Sequence, residues 1–225
     1  MLLKKPLSVK TTDARHKSIR EGKQENHCNS RQIRQIQLKP LDISEKIVNG
    51  ELKVPTSFIA LDIETTGLRS KEDSIIELAA IRYEQGEMVE QYHSLIKSEK
   101  RIPEEVISLT GITNELLEEQ GKEIKDVLEE FRLFAGDHVL VGHFVLFDLR
   151  FLREICSVLN VGMMQYRYID TVVLSKIWCH EPVENYKLET LIKKYLIADK
   201  QSHRALPDAI LAAKLYLKLI ENPKG

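Results

Sequence analysis

Two acidic residues stand inside an apolar segment of the chain, in the sequence FIALDIETTGL at residues 58–68. The apolar residues predict a buried strand, and residues two positions apart in a strand point to the same face of the sheet. Asp62 and Glu64 should therefore project together, near the point where the following Thr-Thr-Gly turns the chain away. Burying two like charges is costly unless a positive charge lies between them. Carboxylate oxygens are the ligands that Mg²⁺ and Mn²⁺ prefer, so the pair could bind a divalent cation.

An Asp-x-Glu pair alone is more often two surface acids at a strand end. Two further acids in the sequence favour a metal site instead. Asp148, in VGHFVLFDLRFL, and Asp208, in HRALPDA, each stand near the start of a predicted helix. An acid there can simply accept from free backbone N–H groups, which would explain either residue alone. It does not explain why His203 precedes Asp208 by five residues in a chain that also carries the Asp-x-Glu pair. Asp170, which heads another predicted helix, we interpret only as an N-cap.

Together these motifs resemble those of a known family, the DnaQ-like exonucleases of the DEDDh group, which includes the proofreading epsilon subunit of bacterial DNA polymerase III. FIALDIETTGL, LVGHFVLFDLRFL and HRALPDA match the three family motifs in order, and the resemblance covers roughly residues 56–221. It implies an RNase H-like fold and a metal-dependent 3′–5′ exonuclease that removes nucleotides from DNA in proofreading or repair. An RNA-trimming exonuclease and a catalytically silent scaffold that binds nucleic acid are the alternatives.

The resemblance also implies roles for individual residues. His203 would be the general base, because the five-residue step to Asp208 is the histidine variant of the third motif. Two divalent ions, Mg²⁺ or Mn²⁺, would lie about 3.5–4 Å apart and hold the attacking and leaving oxygens of a phosphoryl displacement. Histidine can accept a proton from water near neutral pH. The four implied metal ligands are Asp62, Glu64, Asp148 and Asp208.

For the substrate, the resemblance implies a pocket for the 3′-terminal nucleotide directly after the first strand. Its implied residues are Thr65, Thr66, Gly67 and Leu68, although Leu68 could equally be ordinary core. The chain departs from many relatives at Phe144, where they have asparagine. An aromatic ring there could pack beneath the site or stack on a base, and the sequence leaves both interpretations open.

The elements that must position these residues are those of a layered α/β domain. Strands are predicted at 57–63, 75–83 and 88–96, with a Gln85–Gly86 turn that makes the last two an antiparallel hairpin. Apolar residues at helical spacing then alternate with short strands. We expect a mixed sheet of about five strands flanked by helices. The later predicted elements are helices within 113–135, a strand at 138–143, a helix at 147–159, a strand at 166–169, and helices at 186–197 and 207–220.

Charge is distributed unevenly along the 225 residues. Residues 1–47 carry eleven Lys/Arg and five Asp/Glu, whereas residues 48–225 carry twenty-two and twenty-nine. This composition predicts a basic, disordered arm at residues 1–54 and the exonuclease domain at residues 55–225. The arm is either a solubilising tail or a segment that contacts phosphate or a partner protein. Within it, RQIQLKPL at 34–41 loosely resembles a sliding-clamp-binding peptide but lacks the usual aromatic end.

Other features of the sequence argue against several classes of protein. No apolar run approaches the roughly 18 residues that a membrane span needs, and the N-terminal apolar segment is too short for a signal peptide. The three cysteines lack framework spacing, which indicates reduced thiols and a cytoplasmic location. No further Cys/His pair completes a structural zinc site at His27–Cys28 or Cys179–His180. The expected partner is nucleic acid with a free 3′ end, above all single-stranded DNA, with a DNA polymerase or sliding clamp as candidate protein partners.

Overall fold

The computed structural model describes residues 39–40, 47–48, 51–52, 54–161, 166–179 and 181–221. In these ranges the chain forms eight strands and seven helices. The strands are β1 (Lys39–Pro40), β2 (Ile47–Val48), β3 (Glu51–Leu52), β4 (Phe58–Thr65), β5 (Ile75–Glu84), β6 (Glu87–Leu95), β7 (Leu140–Gly142) and β8 (Arg167–Asp170). The helices are α1 (Glu104–Thr110), α2 (Asn114–Gln120), α3 (Ile124–Ala135), α4 (Leu146–Val158), α5 (Thr171–Trp178), α6 (Leu188–Lys194) and α7 (Ala205–Glu221).

Six of these strands form one mixed sheet in the order β1-β8-β7-β4-β5-β6. β4, β5 and β6 are antiparallel, whereas β7 pairs in parallel with β4 and with β8. β1 adds to β8 in parallel through two residues, and β2 and β3 form a separate antiparallel pair. The predicted five-stranded mixed sheet is confirmed, and β1 is an additional strand that the sequence did not indicate. β1, β2 and β3 fall inside the predicted arm. The rest of residues 1–53 lies outside the described residues, so the domain boundary stays a prediction.

A tight turn makes the predicted hairpin of β5 and β6. Gln85 and Gly86 both have left-handed backbone conformations, with φ of 53° and 85°. Two consecutive left-handed residues match the twist of the flanking strands, and glycine tolerates this conformation without strain. The Gly86 N–H also donates to the carbonyl oxygen of Thr56 at 2.8 Å, which ties the turn to the start of β4.

Helices cover both faces of the sheet, and β4 contributes alternate residues to each face. Ile59, Leu61 and Ile63 pack in one core with α3 and α4. Phe58 and Ala60 pack in a second core with α5, α6 and α7. A strand with both faces buried is almost wholly apolar, which is why this segment could be predicted as a strand. None of the helices in the described part of the chain is long and apolar enough to span a membrane.

One helix of the structure was not predicted. α1 has seven residues, and no side chain caps its N-terminus at Pro103. It ends at Gly111, whose left-handed backbone lets its N–H donate to the carbonyl oxygen of Ile107. Its apolar residues, among them Val106 and Ile107, pack on a small separate core. A helix this short depends on tertiary packing and leaves little periodicity in the sequence.

Candidate active site

The Asp-x-Glu pair on β4 faces helix α7. Asp62 and Glu64 continue the alternate row that begins with Phe58, and that row packs against α7. Asp208 lies in the first turn of that helix. One carboxylate oxygen from each of these three acids lies within 4.8 Å of the other two. The predicted convergence of the first and third motifs is therefore present in the structure.

Asp148 reaches the same place from the opposite side of β4. It lies in the first turn of α4 and is 4 % exposed. Its Oδ1 accepts a hydrogen bond from the backbone N–H of Ile63 at 3.0 Å, between the two acids of the pair. Asp148 is also the neighbouring charge that most raises the pKa of Asp62. Asp148 therefore adjoins the other three implied ligands, although the oxygens that lie within 4.8 Å of one another come only from Asp62, Glu64 and Asp208 among the described residues.

The electrostatics of this cluster favour a bound cation. Removal from water, and then the charges of Asp148 and Glu64, raise the pKa of Asp62 well above its ordinary value. Removal from water and the charge of Asp208 raise the pKa of Glu64 to about 8. Strongly perturbed carboxyl groups gathered in one place are typical of functional sites. A set of oxygen donors whose charges repel one another fits hard divalent cations such as Mg²⁺ or Mn²⁺.

The loop before α7 folds around the carboxylate of Asp208. Its Oδ2 accepts from Gln201 Nε2 at 2.7 Å and from the His203 backbone N–H at 3.1 Å. Its Oδ1 accepts from the Ser202 N–H at 3.2 Å. Burial raises the pKa of Asp208, and these hydrogen bonds limit the rise. His203 is therefore held beside the acidic cluster through its own main chain, in a left-handed conformation with φ of 55°.

Sequence reasoning missed a fifth acid, Glu77. It stands opposite Glu64 in the pairing of β5 with β4 and is 1 % exposed. Burial alone would raise its pKa, but hydrogen bonds from His93, Arg204 and the Ala205 N–H bring the pKa down to about 2. Glu77 is thus an ionised, fully paired group, unlike the four clustered acids. The one signal in the sequence was a charged residue in the middle of the otherwise apolar IIELAAI.

The turn after β4 is held by its own polar groups. The Thr65 hydroxyl donates to the Gly67 carbonyl oxygen, and the Thr66 hydroxyl accepts from the Ser74 N–H at 2.9 Å. A Cβ at Gly67 would lie 2.5 Å from Asp73 Oδ2, so any other residue there would displace the Asp73 carboxylate, which accepts from the Arg69 N–H at 2.9 Å. Leu68 is 83 % exposed, which excludes the interpretation of this residue as ordinary core. Its side chain lies at the surface, where a substrate could contact it.

Phe144 is largely exposed to solvent, between β7 and α4. It is 57 % exposed, so the interpretation that it packs beneath the site is wrong. Its backbone is left-handed, with φ of 59°, and its N–H donates to Asp170 Oδ1 at 3.0 Å. The same Asp170 oxygen accepts from the Val172 N–H at 2.9 Å, which confirms the predicted N-cap of α5. Asp170 therefore holds both Phe144 and the start of a helix.

A cavity of about 420 Å³ opens between Phe144 and the acids. The exposed Lys187 and the half-buried Tyr186 contribute a cation and an aromatic ring to its wall, and neither was predicted as a site residue. The turn at residues 65–68 lies outside this wall. The residues that line the cavity are Asp62, His143, Phe144, Val172, Tyr186, Lys187, Leu188 and Gln201.

His143 is a second histidine close to the acids. Its Nδ1 lies 2.8 Å from Thr171 Oγ1, whose hydroxyl donates to the Gly142 carbonyl oxygen. Burial lowers the pKa of His143 to about 4. The ring is therefore neutral at neutral pH and adds no positive charge to the cavity.

Comparisons with known proteins agree with this geometry. A protein-family model for RNase_T, described as Exonuclease, matches residues 59–216. DNA polymerase III PolC-type of Thermotoga maritima is 38% identical over 169 residues, which are 75% of this chain and 12% of the relative. The PolC-type polymerase of Bacillus subtilis is 34% identical over 167 residues, again 12% of its length. The chain therefore spans only about an eighth of the curated relatives that it matches.

Solved structures with the same fold are exonucleases. E. coli Exonuclease I in complex with a dT13 oligonucleotide has a TM-score of 0.63 and 20% identity, over 75% of this chain and 42% of that one. The nuclease domain of 3′hExo, a DEDDh family member bound to rAMP, has a TM-score of 0.65 and 17% identity, over 74% of this chain and 92% of that one. These likenesses confirm the expected RNase H-like fold.

Proposed function

Because the chain belongs to the RNase_T family of exonucleases, whose model matches residues 59–216, and carries motifs that resemble those of the DnaQ-like DEDDh group, we propose that it hydrolyses DNA from the 3′ end. The observation that carries the proposal is the convergence of carboxylate oxygens from Asp62, Glu64 and Asp208 within 4.8 Å. Asp148 adjoins them through its bond to the backbone of β4. No other role explains why four acids from three elements share one place at a cost in electrostatic repulsion.

Each of these residues has a definite task in the proposed reaction. Asp62, Glu64, Asp148 and Asp208 would hold two divalent ions, Mg²⁺ or Mn²⁺. When bound, such ions supply Lewis acidity and neutralise the negative charge of the phosphate. His203 accepts the proton of the attacking water at a ring nitrogen. The phosphorus–oxygen bond to the preceding 3′ oxygen then breaks, which releases a nucleoside 5′-monophosphate and leaves a strand shorter by one nucleotide.

The surroundings of the acids provide surfaces for the substrate. Leu68, in the turn after β4, and Phe144, in the wall of the cavity with Asp62, expose apolar side chains, and Phe144 can stack on a base whatever its identity. Thr65, Thr66 and Gly67 hold the turn that presents Leu68 to the terminal nucleotide. The Lys187 ammonium, on the wall of the cavity, can pair with a backbone phosphate. Such contacts are typical of a protein that binds single strands without sequence preference.

The names of most of the related proteins described above point to DNA as the substrate. The PolC-type relatives are named DNA polymerases, and Exonuclease I was solved with a DNA oligonucleotide. By analogy, the protein would act in the cytoplasm in proofreading or repair, alongside a DNA polymerase or a sliding clamp. RNA trimming is the second candidate, because the 3′hExo nuclease domain was solved with rAMP.

The test uses purified protein and 5′-labelled oligonucleotides of one sequence, as single-stranded DNA, as a duplex with a 3′ mismatch, and as RNA. With Mg²⁺ or Mn²⁺, a ladder of successively shorter labelled products is expected from single-stranded DNA, and EDTA should stop the reaction. Immediate release of a labelled mononucleotide would mean the opposite direction. Binding without any shortening, with either metal, would favour the silent scaffold. Faster shortening of RNA than of DNA would favour RNA trimming.

A further inference from the structure

The buried acid Glu77 lies outside the implied ligand set and has all of its acceptor capacity engaged. Arg204 donates to it through Nε, at 3.1 Å from both carboxylate oxygens, and through a terminal nitrogen at 2.6 Å. The backbone N–H of Ala205 donates to Oε2 at 2.9 Å. His93 Nε2 lies 2.7 Å from Oε1. A forked pair between arginine and a carboxylate fixes orientation as well as distance.

Two of the three partners of Glu77, Arg204 and Ala205, directly follow His203 in the chain. Ala205 is also the first residue of α7. On its other side His203 is fixed by its backbone N–H, which donates to Asp208 at 3.1 Å. Between these anchors its backbone has φ of 55°. A residue other than glycine keeps a left-handed backbone only where its surroundings hold it there.

We propose that Glu77 is a positioning residue that holds His203 for proton transfer, by anchoring Arg204 and Ala205 to β5. The inference rests on the proposed role of His203 as general base. Glu77 itself contacts neither substrate nor water in this scheme. The bonds from its carboxylate to Arg204 and Ala205 fix the main chain of the loop before α7, and the main chain in turn determines where the His203 imidazole lies. A competing explanation is that Glu77 only keeps the Arg204 guanidinium away from Glu64.

The decisive experiment is a double-mutant cycle between Glu77→Gln and His203→Ala on a single-stranded oligodeoxynucleotide. Alone, Glu77→Gln should lower kcat about tenfold to a hundredfold with little change in KM, because small displacements of a catalytic group have effects of this size. In the His203→Ala background it should cause no further loss, because residues that act through one another are not additive. Glu90→Gln is the matched control. It breaks the 2.6 Å pair with Arg82, which joins β5 to β6 as the contact between Glu77 and His93 does, and it should leave kcat unchanged.

A second variant protects the test against a loss of folding. Arg204→Lys keeps the charge but cannot form the fork, and the Arg204 side chain is 33% exposed, so the change should be tolerated. It should lower kcat in the same way and also have no effect in the His203→Ala background. Circular dichroism melting checks that each variant is folded.

Two results would overturn the inference. One is an equal loss of kcat from Glu77→Gln with and without His203. The other is a raised Mg²⁺ requirement that accounts for the whole loss, which would place the effect on Glu64. Failure of the proposed function is distinguishable, because it would appear as an inactive unmodified protein or as full activity in His203→Ala.

Discussion

At the scale of single residues, four carboxylates that look alike in the sequence are held in different ways. Asp62 is removed from water among other acids, and this burial and then their charges raise its pKa. Asp148 accepts a hydrogen bond from the main chain of β4. Asp208 is enclosed by three donors from the preceding loop. Replacing each acid should therefore have the same effect on activity but a different effect on stability.

We expect Asp62→Asn to abolish exonuclease activity while the melting temperature of the metal-free protein stays level or rises, because the change removes repulsion. Asp148→Ala should also abolish activity but should lower stability by about 1–3 kcal/mol, because the buried N–H of Ile63 loses its acceptor. Thermal unfolding in EDTA and activity in Mg²⁺ measure the two effects. A large drop in melting temperature for Asp62→Asn, with activity retained, would contradict the metal role.

His203→Ala should lower the rate by roughly two to four orders of magnitude, the range for a general base. Mg²⁺ binding, measured by calorimetry, should change little, because the side chain is not among the implied ligands. His138→Ala is the control, since among the described residues that ring bonds the Ala135 carbonyl oxygen at the end of α3, and the change should leave the rate unchanged. A collapse of metal affinity in His203→Ala would make the histidine a ligand instead.

The stability of the metal-free protein should depend on pH through Glu64. Its pKa is about 8 in the folded chain, against an ordinary value of 4.5. The folded state therefore binds this proton more tightly than the unfolded state, so stability should fall as pH rises from about 4.5 to about 8. Glu64→Gln should flatten this dependence, and Mg²⁺ should restore stability at high pH. Identical melting curves against pH for the variant and the unmodified protein would refute the assignment.

Sequence reasoning found the clustered acids and His203 because each lies in a short motif, but it could not find Glu77. The partner that gives Glu77 its role, Arg204, is 127 positions away. Glu77 stands alone in the apolar IIELAAI and Arg204 lies inside HRALPDA, but nothing in either segment indicates that the two residues pair, because burial of a single glutamate is a property of the fold. Phe144 is the reverse case, since its position was evident but its exposure was not. The pairing of Glu77 with Arg204 and the exposure of Phe144 both depend on packing, which cannot be read from the spacing of residues along the chain.

At the scale of secondary structure, elements with strong periodicity were predicted and those that depend on a partner were not. β4 and α7 have long apolar patterns, and together they place Asp62 and Glu64 opposite Asp208. β1 has two residues and is a strand only because it pairs with Arg167 and Tyr168 of β8. α1 similarly depends on packing against its own small core. Pairing and docking of this kind cannot be read from local sequence.

Asp170 joins two elements, and its replacement should show this. Asp170→Ala removes the N-cap of α5 and the acceptor for the Phe144 N–H, so we expect a loss of about 1–2 kcal/mol in unfolding free energy. It should also raise KM for single-stranded DNA, because the loop that presents Phe144 is released. Denaturant unfolding and steady-state kinetics measure these effects.

Two comparisons sharpen the Asp170 test. Asp170→Asn retains an oxygen acceptor and should lose less stability than Asp170→Ala. Thr113→Ala removes the cap of α2, which is a bond from the Leu116 N–H at 3.2 Å, and should lower stability without changing KM. Equal KM values for Asp170→Ala and Thr113→Ala would mean that Asp170 has no part in substrate binding.

At the scale of the whole molecule, the effect of the basic residues near the N-terminus can be tested separately from the effect of the strand β1. Residues 1–35 carry nine Lys/Arg and three Asp/Glu, whereas residues 36–47 carry two of each. Residue 47 is an uncharged isoleucine, so deleting residues 1–35 and deleting residues 1–46 remove the same net charge, and both variants retain the whole of β2. Only the longer deletion also removes β1 and its pairing with β8. The two variants therefore lose the same net charge and differ in structure by the presence or absence of β1.

We expect both deletions to keep their turnover on a saturating short substrate, because the acids and His203 all lie beyond residue 58. Both should bind a long single strand more weakly than the full chain and with a shallower dependence on salt, because each lysine or arginine that meets a phosphate releases counterions. The difference should be largest at low salt, where screening is weakest.

Binding measured at two salt concentrations for the three proteins gives the slopes. Equal affinities and slopes for all three would leave the basic segment as a tail or a protein-docking segment. A loss of turnover or of melting temperature in the longer deletion alone would show that β1 belongs to the catalytic domain, and would move the predicted boundary toward residue 36.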